Sequence, residues 1–196
     1  MLFRSLAILW EWTELVVGPS NRITFFVGAL ALAAAIMIVE RGRPGAAILI
    51  VALGAIAAAI FAPAERRIWV SGGVAYAGAM LIAPAVLRYD AEWGFIVLIF
   101  LFAIVWGTDV FGYFAGRVIG GPKLAARISP KKTWSGAIAG TLGAVIVGVI
   151  VAKQAGVGGL GIIAFVALTL SVAAQAGDLF ESWVKRRFGA DRKSVV

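Results

Sequence analysis

The residues best suited to binding or catalysis are an acid and a group of bases in the segment from Trp106 to Thr133. Asp109 lies inside a long apolar run, and a glycine-rich segment with five bases follows it: Arg117, Lys123, Arg127, Lys131 and Lys132. A carboxylate is costly to desolvate, so an acid within a membrane is by default a hypothesis of function. Two interpretations stay open. Asp109 is either a functional acid beside a phosphate-binding segment or the buried partner of Arg117 in a structural ion pair.

A second group of reactive side chains follows the last apolar run. On one helix, positions i, i+3, i+4 and i+7 share a face, and Asp178, Glu181, Ser182 and Lys185 have this spacing. Mg²⁺ commonly takes one or two carboxylates and completes its shell with water and substrate phosphate. This face therefore either binds metal and phosphate or carries only intrahelical ion pairs such as Glu181 with Lys185.

The composition defines the class of protein that must position these groups. Of the 196 residues, 62% are hydrophobic and 14% are charged, whereas soluble domains have roughly 25% charged residues. This predicts an all-α, polytopic membrane helical bundle without a soluble domain. The chain contains no cysteine and no histidine, so a metal would have to bind carboxylates. The net charge is +8. In a membrane protein, basic residues set the topology and contact anionic lipid headgroups, so no nucleic acid partner is expected.

The apolar segments predict about six transmembrane helices in one integral membrane domain over residues 1–196. Residues 1–22 contain Glu11 and Glu14 beside tryptophans, which favours an interfacial helix. An amphipathic, cytoplasmic helix is expected after Asp178, and Gly136 and Gly140 are expected to permit close helix packing. The predicted spans are Ile23 to Val39, Gly45 to Ala62, Ile68 to Leu87, Trp93 to about Gly116, Trp134 to Ala152, and Val157 to Ala176.

The distribution of basic residues predicts the orientation of these helices. Most of the 18 lysines and arginines lie in the N-terminal segment, the second and fourth connections and the C-terminal segment, all on one side of the membrane. The positive-inside rule makes this side cytoplasmic. We therefore expect a protein of a bacterial-type inner membrane whose two reactive segments face the cytoplasm.

Two ordered motifs within residues 93–189 resemble those of CDP-diacylglycerol synthases, also called phosphatidate cytidylyltransferases. The first is a serine-proline-x-lysine-threonine motif and the second is glycine-aspartate-leucine-x-glutamate-serine-x-x-lysine-arginine. The first motif falls on Ser129, Pro130, Lys132 and Thr133, with Lys131 at the variable place; the second falls on Gly177, Asp178, Leu179, Glu181, Ser182, Lys185 and Arg186; and the upstream aspartate of the family falls on Asp109.

The resemblance implies a Mg²⁺-dependent enzyme that makes CDP-diacylglycerol and pyrophosphate from CTP and phosphatidic acid. It implies metal ligands at Asp178 and Asp109. The resemblance leaves open whether the protein forms a homodimer. The implied catalytic residues are Asp178, Lys132, Asp109 and Lys185, and the implied substrate-binding residues are Ser129, Lys131, Thr133, Glu181, Ser182 and Arg186.

The last residues depart from the family pattern. Where the family continues with a histidine-glycine-glycine motif and a second metal-binding aspartate, this sequence has Ala190 to Val196. From that difference we expect the chain as given to bind Mg²⁺ and nucleotide weakly and to turn over little. The alternative functions are a small transporter with Asp109 as its coupling residue, and a non-catalytic membrane protein that binds acidic lipid.

Overall fold

A computed structural model describes residues 1–188, which form seven α-helices and one β-hairpin. The elements are α1 (Leu2–Val17), α2 (Arg22–Val39), α3 (Pro44–Ile60), α4 (Arg67–Tyr89), α5 (Gly94–Val118), β1 (Lys123–Ala125), β2 (Ser129–Thr133), α6 (Trp134–Gln154) and α7 (Leu160–Arg187), with a 3₁₀ turn at Ala64–Arg66. The predicted helical membrane fold is confirmed. The departure from the family pattern at residues 190–196 lies outside the described residues.

Five helices of the described chain are long and apolar enough to cross a membrane: α2, α4, α5, α6 and α7. The helix at the second predicted span, α3, has 17 residues and is therefore about 25 Å long, slightly less than a hydrocarbon core of roughly 30 Å. The sixth predicted span and the amphipathic segment after Asp178 form one continuous helix, α7. Gly177 at their junction does not end the helix, because a single glycine is tolerated inside a helix at a cost of about 1 kcal/mol.

The chain forms two compact units, one from Met1 to Gly94 and one that begins at Phe95. Whether they make the single membrane domain expected from the sequence stays a prediction. The first unit contains α1 to α4 around buried Leu32, Val74 and Leu81. Helix α1 packs against α2 and α4, and Trp12 Nε1 donates a hydrogen bond of 2.8 Å to the carbonyl oxygen of Trp69.

The second unit packs α5, α6 and α7 around Ile104, Ala144 and Ala167, one fully buried residue from each helix. Helices α5 and α6 are in backbone contact. A Cβ added to Gly140 would lie 2.7 Å from the carbonyl oxygen of Thr108. A Cβ added to Gly136 would lie 2.7 Å from the carbonyl oxygen of Gly112. The predicted packing role of Gly136 and Gly140 is confirmed, and the helix that they admit is α5.

The basic segment after α5, expected to be a loop, contains the antiparallel hairpin of β1 and β2. Gly120 and Gly121 reverse the chain before β1 with φ angles of 66° and 103°, which glycine adopts without steric cost. The backbone N–H of Trp134 then donates to the carbonyl oxygen of Pro122 at 3.1 Å, which joins the start of the hairpin to the start of α6. The hairpin therefore lies at the N-terminal end of α6.

Candidate functional site

A cavity of about 550 Å³ lies in the second unit, where the end of α5, the hairpin, the first turn of α6 and the late part of α7 meet. Its lining contains most of the charged residues that the sequence singles out. Two are acids, Asp109 and Asp178, and four are bases, Arg117, Lys123, Lys131 and Lys132. The two reactive segments of the sequence therefore form one site.

The two predicted motifs meet through Lys132 and Asp178. Lys132 Nζ donates a hydrogen bond of 2.9 Å to Asp178 Oδ2, from the end of β2 to α7. The two side chains are 31% and 54% exposed, so water and solutes can reach both. Because both groups also line the cavity, a ligand that binds there encounters a cation and an anion at adjacent positions.

Asp109 lines the same cavity from α5, together with Tyr113 and Gly116, and the three have the i, i+4 and i+7 spacing of one helical face. Its side chain is exposed, which argues against the alternative of a buried Asp109. Arg117 Nη1 donates a hydrogen bond of 2.8 Å to the hydroxyl of Tyr113. Within residues 1–188 no ion pair joins Asp109 to Arg117. The hypothesis of a structural ion pair between these two residues is therefore not supported.

The first turn of α6 forms one wall of the cavity. Thr133 is buried and caps this helix: its Oγ1 accepts a hydrogen bond of 3.2 Å from the backbone N–H of Gly136. Both residues line the cavity. Backbone N–H groups and the helix dipole at such a terminus favour an anion, and here they are next to the lysines of β2.

Two contacts fix the hairpin over this helix terminus. Ser135 Oγ donates a hydrogen bond to the carbonyl oxygen of Gly120, in the turn before β1. Arg186 Nε donates to the carbonyl oxygen of Ile128 at 2.5 Å, which ties the end of α7 to the turn between the two strands. The position of the lysines in β2 therefore depends on both α6 and α7.

The remaining predicted site residues lie outside the cavity lining. Ser129 pairs with Ala125 at the other end of the hairpin. On α7, Lys185 Nζ lies 2.6 Å from Glu181 Oε1, the intrahelical pair considered from the sequence. Ser182 is half-buried one turn beyond Asp178. The roles in substrate binding or catalysis assigned to these residues and to Arg186 stay predictions.

A polar network at the base of the cavity was not predicted from the sequence. The hydroxyls of Thr108 and Ser171 are both buried and lie 2.7 Å apart, which joins α5 to α7. Gln175 Nε2 donates to Thr141 Oγ1 at 2.9 Å, which joins α7 to α6. A signal was present, because Ser171, Gln175 and Asp178 have the i, i+4 and i+7 spacing of one helical face in an otherwise apolar segment.

The acids of the cavity suit a hard divalent cation. Asp109 interacts electrostatically with both Asp178 and Lys132. Two carboxylates in one cavity repel each other, and a bound divalent cation would offset that repulsion. In the described part of the chain no three His, Cys, Asp or Glu side chains cluster as a cage made of protein ligands alone. A pair of carboxylates is the set that Mg²⁺ uses when water and substrate phosphates supply its other ligands.

Comparisons with known proteins identify the family to which the sequence is similar. The model of the cytidylyltransferase family matches residues 1–191. The phosphatidate cytidylyltransferases of Brucella abortus (strain 2308) and Brucella suis biovar 1 (strain 1330) are each 43% identical over 191 residues, which cover 94% of this chain and 69% of those proteins. The phosphatidate cytidylyltransferase of Rickettsia bellii is 37% identical over 99 residues, or 47% of this chain and 43% of that protein. The similarity thus extends through the first unit, well beyond the segment from residue 93 whose motifs carried the resemblance.

Proposed function

Because this chain belongs to the cytidylyltransferase family, we propose that it transfers a cytidylyl group from CTP to phosphatidic acid, yielding CDP-diacylglycerol and pyrophosphate. The proposal is supported by the names of the Brucella relatives and by the chemistry of the cavity. The strongest support is the 2.9 Å contact between Lys132 and Asp178, because a carboxylate can hold Mg²⁺ against a phosphate while an adjacent lysine neutralises the charge of that phosphate.

The reaction forms one P–O bond and breaks another. An oxygen of the phosphatidate phosphate attacks the α-phosphorus of CTP, and the bond from that phosphorus to the bridging oxygen of the β-phosphate breaks, releasing pyrophosphate. The attacking phosphate is already an anion near neutral pH, so the step needs no general base. Catalysis then rests on holding two anions in line and on neutralising their charge.

The bases of the cavity fit this task. Lys131 and Lys132 come from β2, Lys123 comes from β1, and Arg117 lies on α5, so cations surround the cavity from three elements. An ammonium or guanidinium group forms charge-assisted hydrogen bonds to phosphate oxygens. We assign Lys132 to the transferred phosphate, because it is the lysine already placed against Asp178.

Asp178 and Asp109 are the residues that would hold Mg²⁺. When bound, the ion would neutralise charge on the triphosphate and help to orient it. Thr133 and Gly136 contribute the start of α6, whose dipole favours the same anions. Each of these groups acts by placement, and none has to change its covalent state.

The protein is an integral membrane protein, and we propose that its hairpin faces the cytoplasm of a bacterial-type inner membrane, where CTP is available. This orientation is supported by the excess of basic residues in the segments that would share that side. The transporter hypothesis loses its support, because the family is one of transferases and Asp109 shares its cavity with the lysines of the hairpin.

The decisive experiment is transfer of label from CTP, labelled at the α-phosphate, into organic-extractable lipid. Purified protein in detergent or vesicles should form labelled CDP-diacylglycerol only when phosphatidic acid and Mg²⁺ are both present. Release of pyrophosphate should match lipid labelling one to one. Saturable binding of phosphatidic acid without any labelled product would instead favour the non-catalytic, lipid-binding alternative.

A further inference from the structure

A second concavity, of about 390 Å³, lies between α6 and α7 beside the charged cavity. One face of each helix forms its walls. The apolar residues of these walls include Trp134, Ile138 and Leu142 on α6 and Val172, Ala176 and Leu179 on α7. Both sets have the spacing of a single helical stripe, so the concavity is a groove along the helix pair. We call it the α6/α7 groove.

The groove and the charged cavity are adjacent. Leu124, Ala137 and Gln175 line both of them. Ala137 lies one residue after Gly136, in the first turn of α6, so the junction is at the level of the helix terminus that faces the lysines. The phosphate end of a lipid in the cavity would therefore lie next to the groove.

The two compartments have opposite chemistry. Among residues 1–188, six charged side chains line the cavity and none lines the groove. The two polar side chains of the groove, Thr141 and Gln175, satisfy their donors within the protein. Gln175 Nε2 donates to Thr141 Oγ1 at 2.9 Å and to the carbonyl oxygen of Ala137 at 3.3 Å. Thr141 Oγ1 donates to the same carbonyl oxygen at 3.0 Å. The groove thus offers its occupant an apolar surface.

The apolar groove runs along α6 from the end nearest the hairpin. Along α6 it extends from Trp134 to Leu142, eight residues or about 12 Å, away from the hairpin and into an apolar span. The outer wall residues Ile138 and Leu142 are 56% and 60% exposed in the described structure, so a lipid chain can enter from the side. A charged compartment at a helix terminus beside an apolar groove in an apolar span fits an amphiphile with an anionic head.

We propose that the α6/α7 groove binds an acyl chain of the phosphatidic acid whose phosphate occupies the charged cavity. This inference rests on the proposed function and adds the substrate's position. The groove aligns the lipid so that its phosphate remains beside Lys132. The affinity of the enzyme for lipid then depends on acyl-chain contact with α6 and α7, and its affinity for CTP does not.

The test narrows the groove with Ala176→Phe, with Ala173→Phe as the matched control. Ala173 is also exposed on α7 but lies outside the groove lining. We expect Ala176→Phe to raise the KM for dioleoyl phosphatidic acid at least tenfold. The KM for dihexanoyl phosphatidic acid, whose chains contact less of the groove, should rise threefold at most. The KM for CTP should stay within twofold, and Ala173→Phe should resemble the parent with both lipids.

Equal effects of Ala176→Phe on the two lipids, or no effect on either, would overturn the assignment of the groove. A parent protein that forms no product from either lipid would instead refute the proposed function, so the two failures are distinguishable.

A binding measurement tests the groove independently of turnover. Phosphatidic acid with a photoactivatable diazirine in its acyl chain should label peptides of α6 and α7, and Ala176→Phe should reduce that labelling at least fivefold while Ala173→Phe does not. Excess dioleoyl phosphatidic acid should compete, whereas excess dioleoyl phosphatidylcholine, which lacks the free phosphate, should not. Equal competition by both lipids would show that bulk lipid fills the groove. Crosslinks between two copies of the chain at this face would show that a second protomer covers it. Either result contradicts the proposal.

Discussion

Lys132 Nζ and Asp178 Oδ2 lie 2.9 Å apart, and this contact joins two motifs whose residues are 46 positions apart in the sequence. Partly exposed ion pairs of this kind contribute only about 0–1 kcal/mol to stability. A phosphate or a metal ion can therefore replace either partner at little cost. The contact therefore brings a cation and an acid of the site together and leaves both available to a ligand.

Asp178→Asn should lower kcat/KM by about 100-fold or more. A weaker metal site lets the triphosphate move relative to the attacking phosphate, and a shift of ~1 Å at the reacting atoms lowers the rate by about 100-fold. The Mg²⁺ concentration that gives half-maximal activity should rise in parallel. Glu40→Gln, which neutralises an exposed acid at the end of α2, is the control and should behave as the parent. An unchanged Mg²⁺ dependence in Asp178→Asn would separate this acid from the metal.

Lys132→Ala should weaken the binding of CTP or phosphatidic acid by roughly tenfold or more, since it removes a charge-assisted contact of about 1.5–3 kcal/mol. Lys153→Ala, at the other end of α6, is the matched control. Calorimetric titration of each ligand measures the effect without turnover. If both ligands bind Lys132→Ala as tightly as the parent, Lys132 serves only as the partner of Asp178.

Much of the helical architecture could be predicted from the sequence, because long apolar runs are a strong signal. The first predicted span began at Ile23 and ended at Val39, and α2 spans Arg22–Val39. The hairpin could not be predicted in the same way. Its strands have three and five residues, too few for a period-two pattern, and Pro130 within β2 argues against a strand by composition.

The site was predictable where the motifs carry charge and less so where position depends on packing. Asp109, Lys132 and Asp178 were all named from the sequence, and all line the cavity. The network of Thr108 with Ser171 was missed, because a single hydroxyl in an apolar helix reveals its partner only once the helices are packed. The contact of Arg186 with the Ile128 carbonyl oxygen was missed for a related reason, since any residue type can supply a backbone acceptor.

Thr108→Val keeps the shape of a buried side chain and removes its hydroxyl, so it tests the bond to Ser171. Hydrogen bonds between membrane helices contribute about 0.6 kcal/mol on average and up to about 1.7 kcal/mol, and we expect a loss of stability in that range. Activity should fall as well, because Thr108 directly precedes Asp109. The double variant Thr108→Val with Ser171→Ala should be about as stable as the less stable of the two single variants. Fully additive losses in a denaturation cycle would show that the two hydroxyls are not coupled.

Gly140→Ala should separate α5 from α6, because its Cβ would lie 2.7 Å from the carbonyl oxygen of Thr108 and backbone atoms cannot move aside alone. We expect a destabilisation of about 1–3 kcal/mol, the usual cost of overpacking, together with a loss of activity. Gly161→Ala is the control within a helix, since a Cβ there would meet no atom within 4 Å. That control should be neutral or slightly stabilising. Equal melting temperatures for the two variants would contradict the close packing of α5 on α6.

The proposed orientation can be tested directly, because the chain contains no cysteine and single cysteines can be introduced without background labelling. Arg127→Cys places a thiol in the exposed turn of the hairpin, and Gly158→Cys places one in the exposed connection between α6 and α7. Helix α6 separates these two positions, so they should lie on opposite sides of the membrane. A membrane-impermeant maleimide applied to intact spheroplasts should label the Gly158→Cys protein and leave the Arg127→Cys protein unlabelled until the membrane is opened. Labelling of Arg127→Cys from outside would place the lysines of the hairpin on the side without CTP, and the proposed function would fail with the orientation.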